Sequence, residues 1–252
     1  MKQALKLCAA GILSVFSFTV LNGQTVDNLI NRGDSLHTAH KPDAALSTFL
    51  EAEQLEPENP DILWRIAREY YEKGNAVTED GKESLYRQSL EYAREAVEAD
   101  SLSADAHLWV AIAAGKVALQ RGGKEKVEMS REVKEEAMRA IELNPDMDTG
   151  YHILARWHRE VATLSWVMRT AAKVVYGGLP EASLEESVQY FQKAIDLSPD
   201  WINHRLELAK TYIEQGNEEA ARAQLNKALE LPAVAMEDPE YKEEARRLLE
   251  EL

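Results

Sequence analysis

Residues 26–59 read VDNLINRGDSLHTAHKPDAALSTFLEAEQLEPEN, a stretch of 34 residues with bulky and small side chains at fixed positions. Counted from Val26, positions 4, 11 and 24 carry bulky residues, namely Leu29, Leu36 and Phe49. Positions 8, 20 and 27 carry small residues, and position 32 a proline: Gly33, Ala45, Ala52 and Pro57. Two helices approach to about 8 Å only where the side chains between them are short. The spacing therefore predicts two antiparallel helices that form one hairpin.

The same register recurs along the sequence, and recurrence at a fixed period is typical of repeat proteins. The pattern resembles the tetratricopeptide repeat and divides the protein into units at about 26–59, 60–103, 104–147, 148–201 and 202–235. The second helices of the three middle units come late, because the small residues that fit position 27 are Ala96, Ala140 and Ala194. We expect about ten extra residues in the second and third units and about twenty in the fourth, as extended loops or lengthened helices.

The C-terminal residues 238–252 open with Asp-Pro and carry Tyr241, Ala245 and Leu248 at helical spacing. Stacked hairpins need a terminal helix, because the last hairpin would otherwise expose its apolar face. We therefore predict an all-α fold, a tetratricopeptide-like right-handed α-solenoid of about five helical hairpins with a C-terminal capping helix. It forms a single domain that spans residues 24–252.

The composition is typical of a folded protein, and the net charge makes nucleic acid an unfavourable partner. The protein has 252 residues, of which 45% are apolar and 29% charged, so a wholly disordered protein is excluded. Asp and Glu number 44 against 29 Lys and Arg, which gives a formal net charge of −15 at pH 7. A protein of this sign repels polyanions, so we expect no nucleic-acid partner.

The N-terminal residues are typical of a secretory signal peptide. Lys2 and Lys6 precede an apolar run over residues 7–21, after which the sequence turns polar. The run is about 15 residues long, whereas a transmembrane helix needs roughly 20. We expect a signal peptide at 1–23 with cleavage near Gly23, and a periplasmic or secreted product that is not an integral membrane protein. Cleavage would remove Cys8, the only cysteine, and with it disulfides and thiolate chemistry.

No pattern in the sequence indicates catalysis. The nucleophile elbow, the dinucleotide fingerprint, the phosphate-binding loop and the zinc-protease motif are all absent from the sequence. His37 and His40 lack a third metal ligand that the sequence defines. We expect no catalytic residues, no metal and no cofactor. Two glycine pairs, Gly122-Gly123 and Gly177-Gly178, are interpreted as helix ends.

The first helices of such hairpins line the concave surface, and repeat positions 2, 5, 9 and 12 point into it. The side chains at these positions are a mixture of aromatic, apolar and basic groups. We expect them to form a binding groove: Trp64, Arg68, Tyr71, Leu108, Ile112, His152, Arg156, Arg159, Asn203 and Lys210. Arginine binds carboxylates and phosphates through paired hydrogen bonds, so the basic members suggest an acidic peptide, the carboxyl terminus of a polypeptide or a phospholipid head group. The alternative is that these cations have ordinary salt-bridge partners.

The insert of the fourth unit, residues 164–179 (LSWVMRTAAKVVYGGL), is the most apolar stretch after the N-terminal segment. One interpretation is an extra helix packed against the repeats. The other is an apolar lid formed by Trp166, Met168, Val175 and Tyr176, which would cover a pocket for an anionic lipid. The sequence leaves both open.

Four longer strings go beyond the general repeat pattern: AHLWVAIAAGK (106–116), MSREVKEE (129–136), GYHILARWH (150–158) and YGGLPEAS (176–183). They resemble the regulator of microtubule dynamics family over roughly residues 62–232, including the long insert. The resemblance implies a tetratricopeptide-like fold and a binding role. It also implies an association with microtubules, mitochondria or membrane contacts, and for some members a domain thought to hold lipid.

The leading functional prediction is an exported, non-catalytic scaffold that binds a peptide or protein partner, preferably an acidic one, in its concave groove. The alternative is a carrier of an anionic lipid or another amphipathic ligand under residues 164–179. A microtubule-associated binding module, implied by the resemblance, comes third.

Overall fold

The computed structural model describes residues 25–252 except Arg121, and it leaves out the side chains of Glu79, Asp80 and Tyr176. The predicted signal peptide at 1–23 and Cys8 lie outside the described residues. Every regular element in the described part of the protein is a helix. In order these are α1 (25–38), α2 (Pro42–Leu55), α3 (Pro60–Ala76), α4 (Glu79–Ala99), α5 (Ala104–Gln120), α6 (Gly123–Leu143), α7 (Asp148–Ala162), α8 (Trp166–Tyr176), α9 (Leu184–Leu197), α10 (Ile202–Glu214), α11 (Glu218–Glu230) and α12 (Asp238–Glu251).

The helices fall into two compact units. The first unit, Met1–Ser101, is described from residue 25 onward and contains α1 to α4. The second unit, Leu102–Leu252, contains α5 to α12. The assignment of one domain to residues 24–252 stays a prediction.

The first unit is built around the hairpin that residues 26–59 predict. Its core holds Val26, Leu29, Phe49, Ile62 and Ile66, all of which are buried. Gly33 allows α1 to lie directly on α2, because a Cβ atom at this position would overlap the Phe49 ring. Small and bulky residues at repeat positions 8 and 24 therefore contact each other, which is the physical reason for the pattern.

The late second helices of the middle units have two structural origins. In the second and third units the helix itself is lengthened: α4 and α6 each have 21 residues, against 14 in α2 and 13 in α11. In the fourth unit the short helix α8 is inserted between α7 and α9. Ala96, Ala140 and Ala194, which the register placed at position 27, are all fully buried.

The second unit pairs α5 with α6, α7 with α9 and α10 with α11, and its last helix, α12, packs against α10 and α11. The contact between α12 and its neighbours buries Leu206, Ala209, Leu225 and Ala245 in one apolar cluster. This burial covers the apolar face that the last hairpin would otherwise expose.

Local sequence sets the ends of several helices. Proline stands in the first turn of α2, α3 and α12, where its missing N–H costs no helical hydrogen bond. Asn59, Ser165 and Ser183 cap α3, α8 and α9 by accepting a hydrogen bond from a first-turn N–H. Helix α8 ends at Gly177 and Gly178, whose φ angles of 79° and 90° lie in the left-handed region that glycine tolerates best.

None of the described helices is both long enough and apolar enough to cross a membrane.

Candidate functional site

Three cations in the second unit converge on one carboxylate, that of Glu207 on α10. Arg159 on α7 donates from Nη2 to Oε2 of Glu207 at 2.5 Å and from Nη1 to the Glu207 backbone carbonyl at 2.8 Å. Lys210 donates to Oε1 at 2.7 Å, and Arg156 Nε lies 3.7 Å from Oε2. We call Arg156, Arg159, Glu207 and Lys210 the Glu207 cluster. It joins the first helices of two hairpins through charge rather than apolar packing.

The electrostatics of the Glu207 cluster favour the ionised carboxylate. Burial alone would raise the pKa of Glu207, but Arg159, Arg156 and Lys210 outweigh that effect and lower the pKa to about 2. Glu207 is therefore negatively charged at neutral pH, although its side chain is buried. A buried charge of this kind is tolerated only when ion pairs and hydrogen bonds compensate for its lost hydration.

The three cations differ in how free they are. Arg159 is buried, and both of its terminal nitrogens are used by Glu207. Lys210 also contacts Glu244 at 2.9 Å. The Arg156 side chain is 44% exposed, and its separation from Oε2 exceeds hydrogen-bond distance. Arg156 is thus the member of the cluster best placed to bind a carboxylate from outside.

A second polar contact between α7 and α10 lies beside the Glu207 cluster. The Nδ1 atoms of His152 and His204 are 2.9 Å apart, and His204 Nε2 lies 3.0 Å from Asp148 Oδ2. Burial, and after it the His204 ring, lower the pKa of His152 to about 3, so His152 is neutral at pH 7. Burial alone would raise the pKa of Asp148, but the hydrogen bonds from His204 and Ser198 lower it below its ordinary value. Asp148 therefore stays ionised and accepts a hydrogen bond from His204 Nε2.

Charged residues in the first unit are balanced differently. Asp34 on α1 accepts hydrogen bonds from Arg65 Nε at 3.0 Å and from Arg68 Nη2 at 2.8 Å. Arg68 Nε also donates to Oε1 of the buried Glu69, which His37 Nδ1 approaches to 3.0 Å. We call Asp34, His37, Arg65, Arg68 and Glu69 the Glu69 cluster. Two carboxylates here face two guanidinium groups.

Aromatic side chains of α3 adjoin the Glu69 cluster. The guanidinium carbons of Arg65 and Arg68 lie 4.1 Å and 5.3 Å from the Trp64 ring centroid, which is cation–π distance. The Tyr71 ring lies 6.1 Å from that of Tyr86 on α4. Trp64 is buried, and its Nε1 donates to Asp61 Oδ1 at 3.3 Å, so its indole contacts these neighbours rather than solvent.

The predicted groove residues are only partly brought together. Arg156, Arg159 and Lys210 meet at Glu207, and His152 joins the neighbouring histidine pair. Leu108 is buried, and Ile112 packs with it beside Met147. Asn203 is half-buried. The assignment of these ten residues to a groove stays a prediction.

The acidic partners of the predicted cations were not predicted from the sequence. Glu207, Glu69 and Asp148 lie on first helices at positions that the groove register does not select, whereas Asp34 stands at position 9 of the first unit, which the register does select. One signal was present for Glu207, which precedes Lys210 by three residues and so shares a face of α10 with it. The contacts with Arg156 and Arg159 cross 48 residues or more and have no local signature.

Helix α8 is an exposed apolar helix. It packs against α6, and of its residues whose side chains are described only Ala172 is buried. The lid predicted at Trp166, Met168, Val175 and Tyr176 therefore has three described members, and all three are exposed to solvent. That they cover a pocket stays a prediction.

Across the described residues, no group of three or more His, Cys, Asp or Glu could hold a metal ion.

Comparisons with known proteins place the chain in a family. The family model described as Regulator of microtubule dynamics protein 1-3 matches residues 27–252. The chain belongs to the regulator of microtubule dynamics family. Regulator of microtubule dynamics protein 1 of Bos taurus is 32% identical over 227 residues, which cover 89% of this chain and 71% of that protein. The Caenorhabditis elegans protein of the same name is 32% identical over 75% of this chain and 84% of its own length.

Members of the family also differ in length. Regulator of microtubule dynamics protein 3 of Mus musculus is 30% identical over 229 residues, which cover 89% of this chain but 49% of the mouse protein. The family resemblance seen in the sequence is confirmed.

Solved structures confirm the fold class. A thermophilic tetratricopeptide protein of Thermus thermophilus, TTC0263, superposes with a TM-score of 0.64 over 88% of this chain and 99% of its own, at 19% identity. The pilF structure of Pseudomonas aeruginosa gives a TM-score of 0.59 over 91% of this chain and 92% of its own, at 14% identity. At these identities the likeness concerns the fold alone, which is all-α and tetratricopeptide-like as the sequence predicts.

Proposed function

We propose that this member of the family is a non-catalytic scaffold that binds a peptide or protein partner along the first helices of its hairpins. Its tetratricopeptide-like fold supports the proposal, because stacked helical hairpins present extended surfaces that such proteins use for binding. Binding would be an equilibrium recognition step with no covalent chemistry. The partner would have carboxylates, either on acidic side chains or at the carboxyl terminus of a polypeptide.

The observation that carries the proposal is the Glu207 cluster. Three cations share one carboxylate, and Arg156 is half-exposed with no close hydrogen bond to Glu207. A guanidinium group can bind a carboxylate through two parallel hydrogen bonds, and those bonds are stronger than neutral ones. Arg156 can form such a pair with a ligand while Arg159 continues to hold Glu207. We therefore propose that, of the ten predicted groove residues, those on α7 and α10 contact the partner.

The experiment is a peptide selection on the full-length protein, followed by affinity measurement on variants. We expect acidic peptides to be enriched, and Arg156→Ala to weaken the selected peptide more than tenfold. The matched control is Arg139→Ala on α6, because Arg139 is 41% exposed and, among the described residues, pairs only with Glu142 at the surface. The control should change affinity less than twofold. Equal affinities for both variants would rule out Arg156 as the contact.

Export through the N-terminal segment is part of the proposal. Its support is the sequence pattern of two lysines before an apolar run that is short for a membrane span. Native mass spectrometry of protein purified from its own cells reports the mature N-terminus and any bound mass in one spectrum. A mature protein that begins near Gln24 would support export, and an intact Met1 would oppose it.

Two other functions remain as proposals behind this one. Lipid carriage under residues 164–179 has the apolar side chains of α8 in its favour, and a phospholipid-sized mass in the same spectrum would support it. A microtubule-binding role follows from the names of the relatives. It requires an uncut N-terminus and a compartment with tubulin-like filaments, and cosedimentation with microtubules tests it.

A further inference from the structure

Helix α8 presents large apolar side chains to solvent along most of its length. Trp166 and Val174 are 75% and 78% exposed, and Val167, Met168 and Val175 are each more than half exposed. Buried Ala172 marks the side of α8 that packs against the rest of the unit. At 100° per residue, Val167 and Val174 lie about 140° and 160° around the helix from Ala172. Val167 and Val174 are thus turned away from the protein, whereas Met168 and Val175 lie about 40° and 60° from Ala172, at the edge of the packed side.

The charge of α8 is opposite in sign to that of the whole protein. Its charged residues are Arg169 and Lys173, with no Asp or Glu, in a protein of formal net charge −15. Both side chains are exposed, and neither cationic group has a hydrogen bond or ion pair with any residue that the structure describes. Salt screens exposed charges beyond about 8 Å, so the local charge of α8 dominates at its own surface.

The position of α8 is fixed by backbone contacts at its C-terminal end. Arg131 on α6 donates from Nε to the Gly178 carbonyl at 3.1 Å, and Lys134 donates to the Glu181 carbonyl at 3.1 Å. These bonds tie the segment after α8 to α6. The helix is therefore held in place while its apolar face stays uncovered.

We propose that α8 docks on the surface of a lipid bilayer that contains anionic lipids. An apolar face bordered on one side by cations that pair with no described residue, with a tryptophan at one end, is the pattern of a helix that lies in the bilayer interface. Its 11 residues span about 16 Å, too short to cross the roughly 30 Å hydrocarbon core, so the helix lies in the plane. Trp166, Val167 and Val174 enter the acyl boundary, and Arg169 and Lys173 contact lipid phosphates. This surface is separate from the Glu207 cluster, and the proposal does not depend on peptide binding.

A local fluorescent probe tests the proposal directly. The full-length protein with Val174→Cys in a Cys8→Ser background is labelled with an environment-sensitive dye and mixed with phosphatidylcholine vesicles with or without phosphatidylglycerol. We expect a blue shift with the anionic vesicles. The control has the dye at Val234→Cys, which is 87% exposed in the segment between α11 and α12 and should show no shift. The N-terminal apolar segment is identical in both proteins, so a difference reports α8 alone.

The charge requirement is tested by removing both cations. Each Lys or Arg near an anionic surface strengthens binding about fivefold, so Arg169→Gln with Lys173→Gln should weaken vesicle binding roughly thirtyfold. The matched pair Arg246→Gln with Arg247→Gln, both exposed on α12, should stay within twofold. No shift at position 174 with anionic vesicles would overturn the proposal. A shift that requires an added polypeptide instead of vesicles would also overturn it, in favour of a protein occupant.

Discussion

The two compact units each hold a buried glutamate among arginines, but they supply it with hydrogen-bond donors differently. In the first unit Arg68 and His37 both contact Oε1 of Glu69, and Oε2 of Glu69 is left without a partner among the described residues. In the second unit both oxygens of Glu207 are used, and Arg156 adds a third cation at longer range. One oxygen of Glu69 therefore lacks a hydrogen-bond donor among the described residues. Both oxygens of Glu207 have donors, and Arg156 is an additional cation beside them.

The two clusters differ in whether a ligand carboxylate could bind there. In the Glu69 cluster both arginines already contact Asp34, so a second carboxylate would meet charges that are already paired. In the Glu207 cluster one competing carboxylate, Glu160 at 3.7 Å from Arg159, is mostly exposed, whereas Glu244 beside Lys210 is about one-third exposed, as Asp34 is in the first unit. Exposed ion pairs contribute little free energy. The difference between the clusters therefore lies in Arg156, whose contact with Glu207 is longer than a hydrogen bond.

The largest expected effect comes from removing the central arginine of the second unit. Arg159→Met leaves Glu207 as a buried charge without its closest partner, and breaking a buried pair in this way costs about 3 to 5 kcal/mol of unfolding free energy. In the first unit, Arg65→Met removes one of the two arginines at Asp34 and no contact with Glu69, so it should cost about 1 kcal/mol or less, because Asp34 is partly exposed and keeps Arg68. Urea unfolding monitored by circular dichroism measures both.

A double variant controls for the orphaned charge. Adding Glu207→Leu to Arg159→Met removes that charge, so the double variant should recover most of the lost stability. Equal losses for Arg159→Met and Arg65→Met, or no recovery in the double variant, would mean that the buried Glu207 depends no more on its arginine than the partly exposed Asp34 does.

The next effect is a dependence of stability on pH that belongs to Glu207. Its pKa falls from 4.5 in the unfolded protein to about 2 in the folded one. The unfolded state therefore binds the proton first, and the contribution of Glu207, up to about 3 kcal/mol, is present above pH 4.5 and disappears as pH falls toward 2. Other carboxylates also titrate in this range, so the readout is the difference in unfolding free energy between wild type and Glu207→Gln.

That difference should be largest above pH 5 and shrink steadily below pH 4.5. A difference that is the same at pH 6 and pH 3.5 would mean that the cations do not stabilise the charged carboxylate. The same titration on Arg156→Ala should retain most of the slope, because Arg159 makes the closer contacts with Glu207.

The fold was largely predictable from sequence because its signals are local. Gly33 and Phe49 lie on neighbouring helices of one hairpin, so their spacing alone specifies a close helix contact. The late position of Ala96 and Ala140 predicted additional residues, and the structure shows them as one continuous helix in each case. The sequence left loops and longer helices as alternatives, because nothing local distinguishes a lengthened amphipathic helix from a helix after a polar loop.

The candidate site was predictable only in part. The register identified Arg156, Arg159 and Lys210, since repeat positions determine which way a side chain points. It could not identify Glu207 as their common partner, because that contact depends on how two hairpins pack, 48 residues apart for Arg159. The solvent exposure of α8 was also not predictable from the sequence. An apolar sequence predicts burial on average, and only packing decides whether a cover exists.

The smallest expected effect distinguishes a binding residue from a structural one. Arg156→Ala should change the unfolding free energy by about 0.5 kcal/mol or less, because a half-exposed arginine 3.7 Å from its partner gains little from the pair. Glu207 would keep Arg159 and Lys210, so no buried charge is left alone. Urea unfolding of Arg156→Ala beside Arg139→Ala, the matched surface arginine, measures this. A loss near that of Arg159→Met would assign Arg156 to the structural core of the cluster. A loss near zero, together with weakened peptide binding, would show that Arg156 binds the peptide and contributes little to the stability of the second unit.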